Sequence, residues 1–130
     1  MDEKEAIFAR YALELSREVH KALYALADTS GFGGFELKSN LEGATHAGAY
    51  SMSFQARIET IALTLRPNET ETPESIQVSI GSDADWKPLV SVLSTKTDEV
   101  PLPVSGIAAN DLPMIESEAR RCLLLMQITN

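Results

Sequence analysis

Cysteine, histidine and long hydrophobic segments are scarce in this chain of 130 residues, and each scarcity excludes a class of protein. The single cysteine, Cys122, excludes a secreted domain held together by disulfides and is compatible with a reducing compartment. His20 and His46 are the only histidines, too few with one cysteine for a zinc site, so we predict no bound metal and no cofactor. No run of about 18 apolar residues occurs, so we predict no membrane-spanning segment.

Positive charge is also in short supply, because 11 Lys and Arg face 19 Asp and Glu and leave a net charge of −8. Such a surface repels phosphate backbones, which disfavours direct nucleic-acid binding, and it suits a basic protein partner. A charge that serves solubility alone is the competing interpretation. The acidic segment Met1–Glu5 differs from the basic start of a signal peptide, so the predicted location is cytoplasmic.

The length and the ordinary composition, 44% hydrophobic and 23% charged residues, predict one domain spanning residues 1–130. Both ends of the chain carry the apolar period of about 3.6 residues that marks a helix with one buried face. The first helical pattern runs from Asp2 to about Ala27 and ends before Gly31. The second begins at Asp111, a predicted N-cap, with Pro113 in an early helical position.

The residues between the two helices alternate apolar and polar side chains, which predicts β-strands. A long strand changes phase near Glu59 and Thr60, which predicts a bulge, although two separate strands are the alternative. The segment Trp86–Ser94 fits a helix or a strand, and we predict a strand because a third long strand would stabilise the sheet. The predicted strands are 35–38, 52–65, 75–82 and 86–94, separated by loops at 40–48 and 67–73.

A turn-rich segment, 95–110, is predicted to be a loop that leads into the last helix. The element order is then α-β-β-β-β-α. The sequence therefore predicts an α+β fold in which an antiparallel sheet of three to four strands has the N- and C-terminal amphipathic helices packed on one face.

The fragment Asp83-Ala84-Asp85-Trp86 resembles a functional site more than any other part of the sequence. Two carboxylates spaced by one residue can share a divalent cation or act as acid and base. Trp86 is the only tryptophan, a residue type enriched at the centres of protein interfaces. The favoured interpretation is a turn in which Asp83 bonds the backbone and Trp86 covers the core.

Acidic residues in the predicted loops and turns are candidates for contact with a basic protein surface. In the extreme case they would imitate the phosphates of a nucleic acid and block a basic groove. These residues are Glu69, Glu71, Glu74, Asp83, Asp85, Asp98 and Glu99.

Two helical surfaces are further candidate interfaces. The first helix carries a mixed apolar, aromatic and arginine patch opposite its predicted core face, made of Arg10, Leu13, Arg17, His20 and Tyr24. In the last helix, the four apolar residues 123–126 cannot all face one side. Either that helix is sandwiched within the fold, or Leu124 and Leu125 contact a second copy in a homodimer. Cys122 lies on the apolar stripe, where packing is its expected role.

A small acidic domain without a catalytic motif is typical of inhibitors, immunity proteins, chaperones and adaptors, so we predict a non-catalytic protein-binding module. In length, acidity and terminal helices the chain is similar to type III secretion chaperones, which carry a middle helix where this chain predicts strands. In size and charge it is similar to phage-encoded anti-CRISPR inhibitors, with which it shares no motif. The competing hypothesis is a small-ligand-binding protein or hydrolytic enzyme that uses Asp83, Asp85 and His46.

Overall fold

The computed structural model describes residues 3–29, 34–39, 57–66 and 73–129. Within these residues two helices flank five strands in the chain order α-β-β-β-β-β-α, and the strands form one antiparallel sheet in sequence order. The α+β class is therefore confirmed. The elements are α1 (Glu3–Asp28), β1 (Gly34–Ser39), β2 (Arg57–Arg66), β3 (Glu74–Ser82), β4 (Pro88–Ser94), β5 (Thr97–Leu102) and α2 (Ala108–Thr129).

The predicted number of strands is wrong, because the described part of the chain forms a sheet of five strands and not of three or four. The additional strand, β5, lies within the segment 95–110 that was expected to be a loop. It forms a hairpin with β4 through a tight turn at Thr95 and Lys96, neither of which is a usual hairpin residue. Pro101 is accommodated because β5 is an edge strand, which does not need every backbone donor.

Two predicted boundaries also differ from the structure. Helix α2 begins at Ala108, three residues before the predicted N-cap Asp111, whose backbone N–H donates to the carbonyl of Ile107. The β2–β3 pairing shifts register between Arg57 and Glu59, close to the predicted bulge. Residues 52–56 of the predicted long strand, and the predicted loop residues 40–48 and 67–72, lie outside the described residues.

The hydrophobic core lies on one face of the sheet. Ile76, Val78 and Ile80 of β3 are fully buried, and residues directly opposite one another in a sheet share a face. Their partners on β2 and β4 include Leu63, Ile61, Val92 and Val90. Both helices contact β3 and each other, and their apolar residues belong to the same buried cluster.

The two helices run in parallel, with both N-termini at the end of the sheet where β3 turns into β4. Helix α1 leads into the start of β1, where Gly34 pairs with Arg66 at the far end of β2. Helix α2 follows Leu102, the last residue of β5, which pairs with Val90 near the start of β4. The topology therefore gathers the first turns of both helices and the β3–β4 turn at one end of the molecule.

Candidate functional site

A buried hydrogen bond links the first part of α1 to the first turn of α2. The hydroxyl of Tyr11 donates to Oδ2 of Asp111 at 2.7 Å, and the two residues are 5% and 1% exposed. The same carboxylate accepts from the backbone N–H of Ser105 at 2.7 Å, the Ser105 hydroxyl at 2.8 Å and the N–H of Gly106 at 3.0 Å. Four donors thus satisfy one buried carboxylate, which fixes the loop before α2 against α1.

The environment of this bond shifts the pKa of both partners. Burial acts to raise the pKa of the Asp111 carboxyl, but the hydrogen bonds from Tyr11, Ser105 and Gly106 outweigh it and hold that pKa below its usual value. Burial, the hydrogen bond to Asp111 and the charge of Asp111 all raise the pKa of the Tyr11 hydroxyl. Asp111 is therefore an ionised acceptor and Tyr11 a neutral donor near neutral pH, the pattern of a structural bond.

The β3–β4 turn has the conformation that the sequence favoured. Oδ1 of Asp83 accepts the backbone N–H of Asp85 at 2.8 Å and of Lys87 at 3.0 Å. Trp86 follows with a φ of 63°, the left-handed region that a bulky residue seldom adopts. Its half-buried ring lies 5.8 Å, centroid to centroid, from the ring of Phe8. The turn is thereby attached to the first turns of α1.

We call the end of the molecule that holds the first turns of α1 and α2 and the β3–β4 turn the acidic end. Its described carboxylates outside the core are Glu3, Glu5, Asp83 and Asp85, and two lysines, Lys4 and Lys87, lie among them. Two large apolar side chains are also exposed here, Ile7 at 53% and Ile107 at 57%. Each isoleucine lies four residues before a member of the Tyr11–Asp111 bond, so both lie beyond that bond toward the helix N-termini.

The other described candidates among the predicted acidic contacts, Glu74, Asp98 and Glu99, do not lie at the acidic end. Glu74 begins β3 and is separated from Asp83 by the whole length of that strand, roughly 30 Å at the usual rise per residue. Its carboxylate pairs with Lys96 at 3.2 Å and accepts a hydrogen bond from Thr95. Glu69 and Glu71 lie outside the described residues. The described candidates therefore do not form a single row of carboxylates.

The predicted patch on α1 is dispersed along an exposed side of the helix. Arg10 and Arg17 are exposed, whereas Leu13 is half-buried. Tyr24 is 53% exposed, and the edge of its ring contacts Phe35 of β1 at 5.4 Å between centroids. Tyr24 thus covers part of β1 while its remaining surface faces solvent.

A mainly apolar groove of about 420 Å³ lies between α1 and α2. Alanines on both helices leave this space, because they do not fill the gap that longer side chains would occupy. The volume lies in the range of small-ligand pockets, about 300–1,000 Å³. Its lining includes Ala22, Ala25 and Leu26 of α1 and Glu116, Arg120 and Leu123 of α2.

The apolar run in α2 divides between the core and the surface. Leu123 and Met126 are buried, whereas Leu124 is 53% exposed and Leu125 half-buried. The packing role expected for Cys122 is confirmed, because this residue is fully buried. Leu124 therefore remains available for contact with another molecule.

The residues of the enzyme hypothesis are not brought together in the described part of the chain. Asp83 is engaged in its turn, neither Asp83 nor Asp85 lines the groove, and His46 lies outside the described residues. Among the described residues there is no group of three or more His, Cys, Asp or Glu side chains placed to hold a metal ion. Across the same residues, no helix has the length and apolar character needed to cross a membrane.

Sequence reasoning missed Tyr11, Ile7 and Ile107. Tyr11 and Asp111 are separated by 100 positions, and no local pattern indicates a hydrogen bond between residues so far apart. Ile7 precedes Phe8, a member of the apolar stripe of α1, and adjacent residues of a helix point in directions about 100° apart. The helical period therefore already indicates that Ile7 is exposed.

Comparison with family models, with curated proteins and with solved structures yields no match to this chain.

Proposed function

We propose that this protein is a non-catalytic binding module that docks a basic protein surface on its acidic end. The observation that carries the proposal is the exposure of Ile7 and Ile107, two large apolar side chains at the end of the molecule where four carboxylates also lie. Apolar anchors within a charged surround are the usual composition of a protein-binding surface.

The exposed isoleucines are stronger evidence for a binding surface than the carboxylates, because the carboxylates also stabilise the protein's own fold. Glu3 and Glu5 lie in the first turn of α1, where negative charge stabilises the positive end of the helix dipole. Asp83 stabilises its own turn. Ile7 and Ile107 leave more than half of their surface in water, so most of their apolar surface is not used by the core and is accessible to a partner.

A basic partner would gain from this arrangement in two ways. Burial of two isoleucine side chains would supply about 2–4 kcal/mol, at roughly 25 cal/mol per Å² of apolar surface removed from water. The carboxylates would attract the partner during approach, which raises the association rate more than it lowers the dissociation rate. We therefore expect salt to slow association and to leave dissociation nearly unchanged.

The first experiment is a native co-purification, followed by titration of the recovered protein against two matched variants. Glu3→Gln with Glu5→Gln and Asp85→Asn removes three charges from the acidic end. Glu14→Gln with Asp28→Asn and Asp98→Asn removes three exposed charges elsewhere. We expect the first variant to weaken binding about tenfold or more and the control to stay within about threefold of the wild type. Equal affinities for the two variants would contradict the proposal.

The second experiment tests the apolar anchors. Ile7→Ser with Ile107→Ser should reduce affinity by at least tenfold, because each substitution removes an exposed apolar contact. Leu93→Ser is the matched control, since Leu93 is 37% exposed on the opposite face of the sheet from the helices and pairs with Gln77, away from the β3–β4 turn. A partner that tolerates the double substitution but not the control binds elsewhere, and the proposed surface would then be wrong.

A further inference from the structure

The outward side of α2 carries a stripe of exposed residues that the fold does not use. Pro113, Ser117, Arg120 and Leu124 are all exposed and recur at intervals of three or four residues, so they lie along one line of the helix. We call this line the outer stripe. Leu124 is its large apolar member, at 53% exposure, and Ser117 is a small residue near its middle.

Two opposite charges beside the middle of this stripe have no ion-pair partner among the described residues. Glu116 and Arg120 are one helical turn apart, yet their side chains are not paired with each other or with any other described residue. Their neighbours behave differently, since Arg121 pairs with Glu118 at 2.6 Å. Glu116 and Arg120 are also the charged residues that line the groove between the helices.

We propose that the outer stripe joins two copies of this chain in a two-fold symmetric dimer with antiparallel α2 helices. If the two-fold axis crosses α2 at the level of residue 118 along the helix, Glu116 of each copy faces the partner's Arg120. This ion pair then occurs twice in the dimer. Leu124 then lies against the partner's Pro113. Ser117 lies near the axis, where a small side chain lets two helices approach to the usual 8–10 Å or so.

A second copy fits this surface better than a partner of one charge. A basic protein would leave Arg120 against a like charge, and an acidic protein would do the same to Glu116. A two-fold interface brings the same patch from both copies together, so one acid and one base a helical turn apart complement themselves. The proposed contacts use Glu116, Arg120, Leu124 and their neighbours on α2, and not Ile7, Ile107 or the carboxylates of the acidic end, so this proposal does not rest on the proposed function.

Exchange of the two charges tests the proposed pairing of Glu116 with the partner's Arg120, and the variant with both substitutions is the control. The measurement is the solution mass by sedimentation equilibrium for the wild type, Glu116→Arg, Arg120→Glu and the variant with both substitutions. We expect the wild type to reach twice the chain mass of 14.2 kDa with rising concentration. Each single substitution creates two like-charge contacts and should raise the dissociation constant tenfold or more, whereas the double variant should return to within about threefold of the wild type.

A second pair of variants tests the apolar contact. Leu124→Glu should weaken the dimer at least tenfold, whereas Leu89→Glu, a change of equal size at a similarly exposed leucine on the sheet, should leave it unchanged. Circular dichroism of each variant checks that the fold is retained, because Glu116 is half-buried, whereas Arg120, Leu124 and Leu89 are exposed. A wild-type protein that stays monomeric, or single charge variants that dimerise like the wild type, would overturn the proposal.

Discussion

Asp111 joins three parts of the chain at one buried point. It lies in the first turn of α2, accepts a hydrogen bond from Tyr11 of α1, and accepts three more from Ser105 and Gly106 in the preceding loop. Its burial would make an unpaired carboxylate costly, and these four donors offset that cost. The carboxylate is therefore important for the position of α2 relative to α1.

The first prediction concerns the pH dependence of stability. Asp111 has a lowered pKa in the folded protein, so its contribution is present above the unfolded pKa of about 3.9 and is lost as pH falls through the folded pKa. Asp111→Asn should lower the free energy of unfolding by about 2 kcal/mol at pH 7. That difference should shrink in urea titrations below about pH 4. A difference that stays constant down to pH 2 or so would contradict this role.

The second prediction concerns the backbone at Trp86, whose φ of 63° is strained for any side chain with a Cβ atom. Trp86→Gly and Trp86→Ala both remove the ring that contacts Phe8, but only glycine relieves the strain. We therefore expect Trp86→Gly to be more stable than Trp86→Ala by about 1 kcal/mol in urea unfolding. Equal stability, or a more stable alanine variant, would show that the left-handed conformation is not retained in solution.

At the scale of elements, β3 is the central strand of the sheet and β5 is one of its two edge strands. Strand β3 pairs with β2 and β4 over most of its length, and Ile76, Val78 and Ile80 lie under the helices. Strand β5 is at the edge and contains Pro101, and all six of its residues are exposed or half-buried. Stability should therefore fall from the centre of the sheet toward β5.

Hydrogen exchange measured by NMR tests this gradient. The most protected amides of β3 should exchange at least tenfold more slowly than the most protected amides of β5, because the edge strand opens without disrupting the core. Amides of the Tyr11–Asp111 region in α1 and α2 should resemble β3. Exchange in β5 that is as slow as in β3 would mean that the sheet opens as one unit.

The elements that could be predicted from the sequence are those with a strong local period. The helical period predicted α1 closely, and alternation predicted β3, because each pattern reports which side chains face the core. Strand β5 could not be predicted in this way, since Asp98, Glu99 and Pro101 disfavour a strand, and its pairing with β4 and its contacts with α2 are tertiary contacts that no local pattern reports. The start of α2 was misplaced because Asp111 resembles an N-cap but bonds the preceding loop instead.

The candidate site was predictable to a smaller extent. The Asp83 turn follows from local chemistry, because an aspartate side chain commonly bonds backbone N–H groups two or more residues ahead. The acidic end as a surface depends on how the chain returns on itself. Parallel helices bring Ile7 and Ile107, which are 100 positions apart, to the same end, and local sequence patterns carry no information about that arrangement.

At the scale of the whole molecule, the two ends of the helical layer have different chemistry. The N-termini of both helices lie at the acidic end with the exposed isoleucines, whereas Glu74 and Lys96 form an ion pair at the other end of the sheet. The outer stripe of α2 lies between the two ends. The surface proposed for a basic protein and the surface proposed for a second copy are therefore made of different residues.

A photo-crosslinking amino acid at position 7 tests the proposed function most directly, because the adduct records which molecule touches that side chain. With the acidic end as the docking surface, irradiation of cells that produce the protein should attach one basic protein at position 7. The same probe at position 93, on the opposite face of the sheet and away from the β3–β4 turn, should attach none of it. Adducts at position 93 and none at position 7 would contradict the account.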